Sequence, residues 1–287
     1  MVAVTRPDFD ADAYVGQLWR VPLDGSAHGR ITRGFRDTRP QFSADGRLLG
    51  FLRAAAGSPP QLAIVPAEGG EPMVVTAAPL GVREFEINAE GSRAAFIAAV
   101  PEQGRYGTTD GVASGQEDPR LITTFQFQFN GTGYTADQRT HVFVVDLPDP
   151  GSEPLVAPVG RAAKGGEAFH CVPAARQVSD GDFDHHSPAW DTDAVLAIAA
   201  RHEDWDRDLR EDLYRFALDG SAPVRVTDSG GGHSAHCSPV VVVTASSSSA
   251  SSAAATDGPS SPRARGCTSS PAKAAMSVGS LRRRACT

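Results

Sequence analysis

Cysteine is scarce in this chain, four residues in 287 (Cys171, Cys237, Cys267 and Cys286), and no disulfide framework is suggested. No apolar run approaches the roughly 20 residues that a membrane helix needs, so no membrane partner is expected. Residues 1–14 lack a basic start followed by an apolar stretch, so the sequence predicts no signal peptide and a cytoplasmic location. Without secretion the sequon Asn130-Gly131-Thr132 carries no weight. Basic residues are outnumbered, 27 against 34 for a net charge of −7, which argues against nucleic acid as the partner.

The average charge hides two parts. Residues 245–287 hold six basic side chains against the single acid Asp257, a net of +5, which leaves −12 for residues 1–244. A shift of this size marks a boundary. The same 43 positions contain 12 Ser and 10 Ala and no Phe, Tyr, Trp or Ile, too little apolar surface to offset the entropy of ordering. The sequence therefore predicts a body over 1–244 and a disordered Ser/Ala-rich basic tail over 245–287. Two origins fit the tail: a natural flexible terminus, or an out-of-frame or truncated one. The second is favoured because the break falls inside a repeat unit.

That repeat is the most informative pattern in the chain. Leu18-Trp19-Arg20-Val21-Pro22-Leu23-Asp24-Gly25-Ser26-Ala27 returns as Leu213-Tyr214-Arg215-Phe216-Ala217-Leu218-Asp219-Gly220-Ser221-Ala222. Both copies run on alike, into Arg30-Ile31-Thr32 and Arg225-Val226-Thr227. Between them, short apolar runs alternate with Asp-Gly, Glu-Gly and Pro punctuation, the pattern of many short strands and tight turns. From Val21-Pro22 to Val65-Pro66 the step is 44 residues, and from Asp45-Gly46 to Glu90-Gly91 it is 45. Four strand-sized pieces per period of this length make one propeller blade. The units are expected at 18–52, 62–98, 121–147 and 187–200, with a fifth opening at Leu213 and broken off after Val243.

Two stretches carry a resemblance to a known family. Gln126-Phe127-Gln128-Phe129-Asn130-Gly131-Thr132-Gly133-Tyr134, followed by Arg139-Thr140-His141-Val142-Phe143-Val144-Val145-Asp146, resembles the N-terminal propeller of acylaminoacyl-peptidase-like enzymes, serine peptidases of the prolyl oligopeptidase family. His202-Glu203-Asp204-Trp205-Asp206-Arg207-Asp208-Leu209 is similar to a blade junction there. The resemblance covers roughly residues 15–240. It implies a propeller of about seven blades that caps an α/β-hydrolase domain and admits short peptides. It also implies a serine nucleophile on a Gly-x-Ser-x-Gly elbow in the hydrolase part, with Asp and His following. Nothing after Val243 matches such a domain, so no catalytic residue carries over.

The chain's own candidates are weak. Gly232-His233-Ser234-Ala235-His236 has His236 where a nucleophile elbow needs glycine for its sharp strand-to-helix turn. His233, His236 and Cys237, with His170 and Cys171, lack the paired tight spacing of a structural zinc site. Asp180-Gly181-Asp182-Phe183-Asp184 starts like a calcium loop, but His185 stands at the sixth position, where glycine is required. Solvated turn carboxylates are the expected reading. The acidic run from Glu203 to Asp212, interleaved with Arg207 and Arg210, reads as an exposed inter-blade loop, or as a rim that steers cationic peptides.

The sequence thus predicts an all-β fold, an incomplete β-propeller of about four to five four-stranded blades, with no catalytic, cofactor or metal site of its own. Its expected partners are the α/β-hydrolase domain of a parent peptidase and short peptides. The alternative is a free-standing propeller that binds a protein or ligand. An unclosed ring leaves strand edges that pair with other chains, so the isolated body is expected to be prone to aggregation.

Overall fold

In a computed structural model, the structure describes residues 1–153, 156, 159 and 172–228. The tail 245–287, the strand expected at 238–243, the segment 232–237, and His170 and Cys171 all lie outside the described residues.

Strands β1 (Val2–Asp8), β2 (Ala13–Arg20) and β3 (Gly29–Arg30) form an antiparallel ribbon. Then β4 (Arg36–Phe42), β5 (Leu48–Ala54), β6 (Gln61–Pro66) and β7 (Met73–Val74) pair in chain order as a meander. One parallel pairing, Gly16 with Arg36, joins ribbon and meander into a seven-stranded sheet.

A second meander consists of β8 (Val82–Ile87) and β9 (Arg93–Ala99), then β12 (Thr140–Asp146) and β13 (Arg176–Gln177). Between β9 and β12 the chain makes a long excursion carrying a 3-10 turn (Ser114–Gln116) and a small hairpin, β10 (Gln128–Phe129) with β11 (Gly133–Tyr134). The third meander is β14 (His185–Asp191), β15 (Ala194–Ala199), β16 (Asp212–Ala217) and β17 (Val224–Arg225).

The second strand of each meander is apolar on both faces, and the period-2 alternation of side chains explains why. In β5, Leu49 and Phe51 join Leu18, Ala63 and Val65 in one core. Leu52 of the same strand turns the other way, into a second core with Leu62, Val82, Phe85, Ile87 and Phe96. In β9, Phe96 and Ala98 face that second core, while Ala95 and Ile97 face a third with Val142, Val144, Val195 and Phe216. The sheets therefore stack face to face in chain order, and each inter-sheet core contributes about 1.5–3 kcal/mol per large side chain fully buried. This is blade packing.

A repeated hydroxyl fixes where each outer strand ends. Leu18 N–H donates to Thr32 Oγ1 at 3.0 Å, Leu62 N–H to Thr76 Oγ1 at 2.9 Å, and Leu213 N–H to Thr227 Oγ1 at 2.9 Å. In the second meander the same place is held by Ser179, whose Oγ accepts the N–H of Val142 at 2.8 Å. The Ile-Thr and Val-Thr endings of the repeated phrase are this feature.

The expected step holds between the first and second meanders, 45 residues from Leu48 of β5 to Arg93 of β9, but not from there to Ala194 of β15, and the phase differs as well. The unit expected at 18–52 straddles ribbon and meander, because β2 and β3 pair in the ribbon and β4 and β5 open the meander that follows it in the same sheet. The units expected at 187–200 and from Leu213 onward are the two halves of a single sheet. The unit at 121–147 is not separate either, since β12 pairs with β9 along seven residues.

Candidate functional site

Because each meander is antiparallel, its connections alternate between two ends. One end gathers the second-to-third-strand loops, residues 55–60, 100–139 and 200–211, with the links into each first strand, 31–35, 75–81 and 178–184. The first strands β4, β8 and β14 neighbour one another through polar side chains. Gln41 Nε2 donates to Glu86 Oε2 at 2.6 Å, and Trp190 Nε1 donates to the Glu86 carbonyl at 2.9 Å. The backbone N–H of Ser187 donates to Glu84 Oε2 at 3.1 Å.

These inner strands are bent. β4 slips register between Thr38 and Gln41, and β14 between His186 and Ala189. At the two bulges Arg39 (φ 52°) and Ser187 (φ 53°) occupy the left-handed region, each directly before a proline. A non-glycine residue is uncommon there, and proline pushes its predecessor towards extended backbone, so both positions hold strain.

At the loop-bearing end, Arg36 and Arg39 of β4 and Arg83 of β8 line a cleft of about 550 Å³ with Thr5, Tyr14 and Thr38. Its volume lies in the range of small-molecule sites. Arg83 reaches Gln138 Oε1 at 3.5 Å, and Gln138 is itself buried, with Nε2 donating to the Tyr134 carbonyl at 2.6 Å.

The excursion 100–139 is held by charge rather than by an apolar core. Asp137 accepts from Tyr106 Oη at 2.9 Å and from Arg120 Nε at 2.5 Å, and Arg120 lies 4.5 Å from the Tyr134 ring centroid. Burial, reinforced by the Asp137 carboxylate, raises the Tyr106 phenol above its ordinary pKa. The excursion then docks on the loop 200–211. Phe125 N–H donates to Asp206 Oδ2 at 3.0 Å, and Gln126 Nε2 donates to the carbonyls of Trp205 at 3.3 Å and Asp208 at 3.0 Å. Leu121 and Phe125 stay exposed on this rim.

The carboxylates of the calcium-like start are not merely solvated. Asp182 and Asp184 bind Arg139 at 2.6 and 3.0 Å, and Asp180 binds Arg201 at 2.8 Å, so they cross-link the second and third meanders. The Arg201 hydrogen bond holds Asp180 below the usual carboxylate pKa. In the acidic run, Asp212 is buried and pairs with Arg225 at 3.0 Å, and Glu211 meets His186 Nε2 at 3.0 Å. Burial alone would lower His186, but the hydrogen bond and charge of Glu211 outweigh it and raise its pKa. Among the described residues no group of three or more His, Cys, Asp or Glu is placed to hold a metal. No helix among them is long and apolar enough to cross a membrane.

Two serine–histidine contacts occur among the described residues: Ser187 Oγ with its chain neighbour His186 Nδ1 at the β14 bulge, 3.1 Å, and Ser179 Oγ with His141 Nδ1, 3.1 Å. Ser179 and His141 are buried, and Ser179 holds the place taken by Thr32, Thr76 and Thr227 in the other sheets. Burial lowers the His141 pKa. The pair ends a strand and has no route to substrate. Sequence reading missed the arginine cleft, because in Arg36-Asp37-Thr38-Arg39-Pro40 the arginines flank an acid that only the structure shows to be claimed by Arg53.

Sheets stacked blade on blade, with polar inner strands and long loops at one end, define a β-propeller-type domain. The chain is similar to acylaminoacyl peptidase of Pyrococcus horikoshii, at 14% identity and a TM-score of 0.52 over 79% of this chain and 30% of that one. It is equally similar to an acylaminoacyl peptidase in complex with Z-Gly-Gly-Phe-chloromethyl ketone, at 14% identity and a TM-score of 0.53 over the same shares. Among curated proteins it matches the uncharacterized peptidase YuxL of Bacillus subtilis (strain 168), 24% identical over 139 residues. That match covers 48% of this chain and 21% of YuxL, so the chain spans about a fifth of its relative. No family model matches.

Proposed function

We propose that residues 1–244 are the propeller part of a serine peptidase of the acylaminoacyl-peptidase type, which restricts the substrates admitted and does not itself hydrolyse them. The observation that carries this reading is the shared fold with acylaminoacyl peptidase over most of this chain but under a third of that enzyme. The match to a curated peptidase supports it. Cleavage is assigned to an α/β-hydrolase partner unit in the cytoplasm, because the Ser179–His141 contact is buried at a strand end and the Ser187–His186 contact joins chain neighbours at the β14 bulge, not a nucleophile elbow. The exposed Leu121 and Phe125 make the rim with the excursion the face offered to that unit. Short peptides are the substrates this arrangement would admit; nucleic acid and membranes have no part in it.

Two measurements test the reading. Acyl-peptide and aminoacyl chromogenic substrates should not turn over with this chain alone, and serine-directed phosphonates should label nothing; turnover would overturn the division of labour. The coding DNA read past codon 240 in the other two frames should give further Asp-Gly blades and then a Gly-x-Ser-x-Gly elbow. Noise in both frames would sink the parentage.

A further inference from the structure

Several arginines of the body meet a carboxylate: Arg53 with Asp37, Arg139 with Asp182, Arg201 with Asp180, Arg215 with Asp191. The cleft between β4 and β8 brings together three that do not. Arg36 and Arg39 make no ion pair among the described residues, and Arg83 reaches only the neutral amide of Gln138. The nearest acid in sequence, Asp37, is fully buried and grips Arg53 with both oxygens, at 2.8 and 2.9 Å. None of the other residues lining the cleft is acidic. In a chain of net charge −7, three guanidinium groups without a carboxylate in one cavity concentrate positive potential where an anion can enter.

The bulge at Ser187-Pro188 separates scaffold from site. It has the same left-handed residue before proline as Arg39-Pro40, but bears a serine there. The strained backbone thus recurs on an inner strand without the arginine, and the arginine is what β4 adds. Planar guanidinium groups bind carboxylates through two parallel hydrogen bonds. Leu52 and Leu80 make part of the same wall apolar, and Tyr14 and Thr38 add hydroxyls.

We propose that Arg36, Arg39 and Arg83 form a carboxylate subsite that holds the α-carboxylate of a short peptide in this cleft. The choice of a peptide as the bearer rests on the peptidase reading; the anion site itself does not.

Titration calorimetry on the full chain at low ionic strength tests this with tri-alanine, its C-terminal amide and inorganic phosphate as probes. Tri-alanine should bind, its amide about tenfold or more weakly, as expected when a charged hydrogen-bonded group is removed. Arg39→Gln and Arg83→Gln should each weaken tri-alanine by a similar factor, with circular dichroism and melting unchanged, and Arg39→Lys should recover part of the loss. Equal affinity for acid and amide, no binding of either, or unaltered affinity in both glutamine variants would overturn the subsite. Phosphate binding that the same variants abolish, with no response to tri-alanine, would overturn the peptide assignment. The coding-frame result is independent of all these outcomes, so failure of the peptidase reading is told apart from failure of the subsite.

Discussion

His185 of β14 donates its Nδ1 proton to the carbonyl oxygen of Thr140 in β12, 2.8 Å away, and so ties two neighbouring sheets together. Its other nitrogen, Nε2, faces Arg201 Nη1 at 3.2 Å and must therefore accept. The ring is neutral in this arrangement, and it is 1% exposed. Burial, with His141 and Arg201 adding repulsion, pushes its pKa down to about 4.

The first prediction follows from that proton. Between about pH 6.5 and pH 4 the unfolded chain binds a proton at this site that the folded chain refuses, so stability falls as pH drops through this window. The loss should approach about 3 kcal/mol. Urea midpoints at pH 7 and pH 4.5 measure it, and His185→Gln should flatten the slope in that interval. An unchanged slope would show that His185 already carries its proton in the fold.

His186, one residue on, should act in the opposite sense. Glu211 raises its folded pKa, so its contribution is fully present below about pH 6.5 and is lost as pH rises through the raised value. Glu211→Gln should remove this alkaline decline, read from melting curves between pH 6 and pH 8.5.

Gly50 of β5 lies close against Phe85 and Ile87 of β8 in the next sheet. A Cβ there would lie 2.8 Å from Ile87 Cδ1 and 2.9 Å from Phe85 Cε2. Gly50→Ala should cost about 1–3 kcal/mol through overpacking, by denaturant unfolding. Full stability would mean that the sheets separate without penalty.

Asp37 is wholly buried against Arg53. Asp37→Asn should cost about 3 kcal/mol, because a largely buried guanidinium is left without its counter-charge. The double variant Asp37→Leu with Arg53→Leu should recover much of that loss. If the single and double variants are equally unstable, the pair is not what the site needs.

How much of this was legible before the structure depended on which interactions are local. The strand period showed because Asp24-Gly25, Asp45-Gly46 and Asp219-Gly220 form turns whose chemistry is complete within a few residues, as in the bond from Ser26 N–H to Asp24 Oδ1 at 2.9 Å. The phase did not show. An Asp-Gly turn looks alike whether it joins the first and second strands of a meander, as Asp45-Gly46 does, or the third and fourth, as Asp219-Gly220 does, and only pairing decides between them.

The alternating residues 121–129 imitated a strand, whereas only Gln128–Phe129 forms one. The ion pairs that fold this excursion join positions such as Arg120 and Asp137, whose spacing matches no strand or helix period. The arginine cleft stayed hidden for a similar reason. Arg36 and Arg83 are 47 positions apart, and their lack of partners is visible only once Asp37 is seen to be taken by Arg53.

The clasp between Gln126 and the loop beyond β15 has a consequence for how such chains diverge. Gln126 reads only the main-chain oxygens of Trp205 and Asp208, so side chains on that loop can be exchanged while its path is kept. Descendants should preserve the glutamine and the contour opposite it long after the intervening letters have drifted.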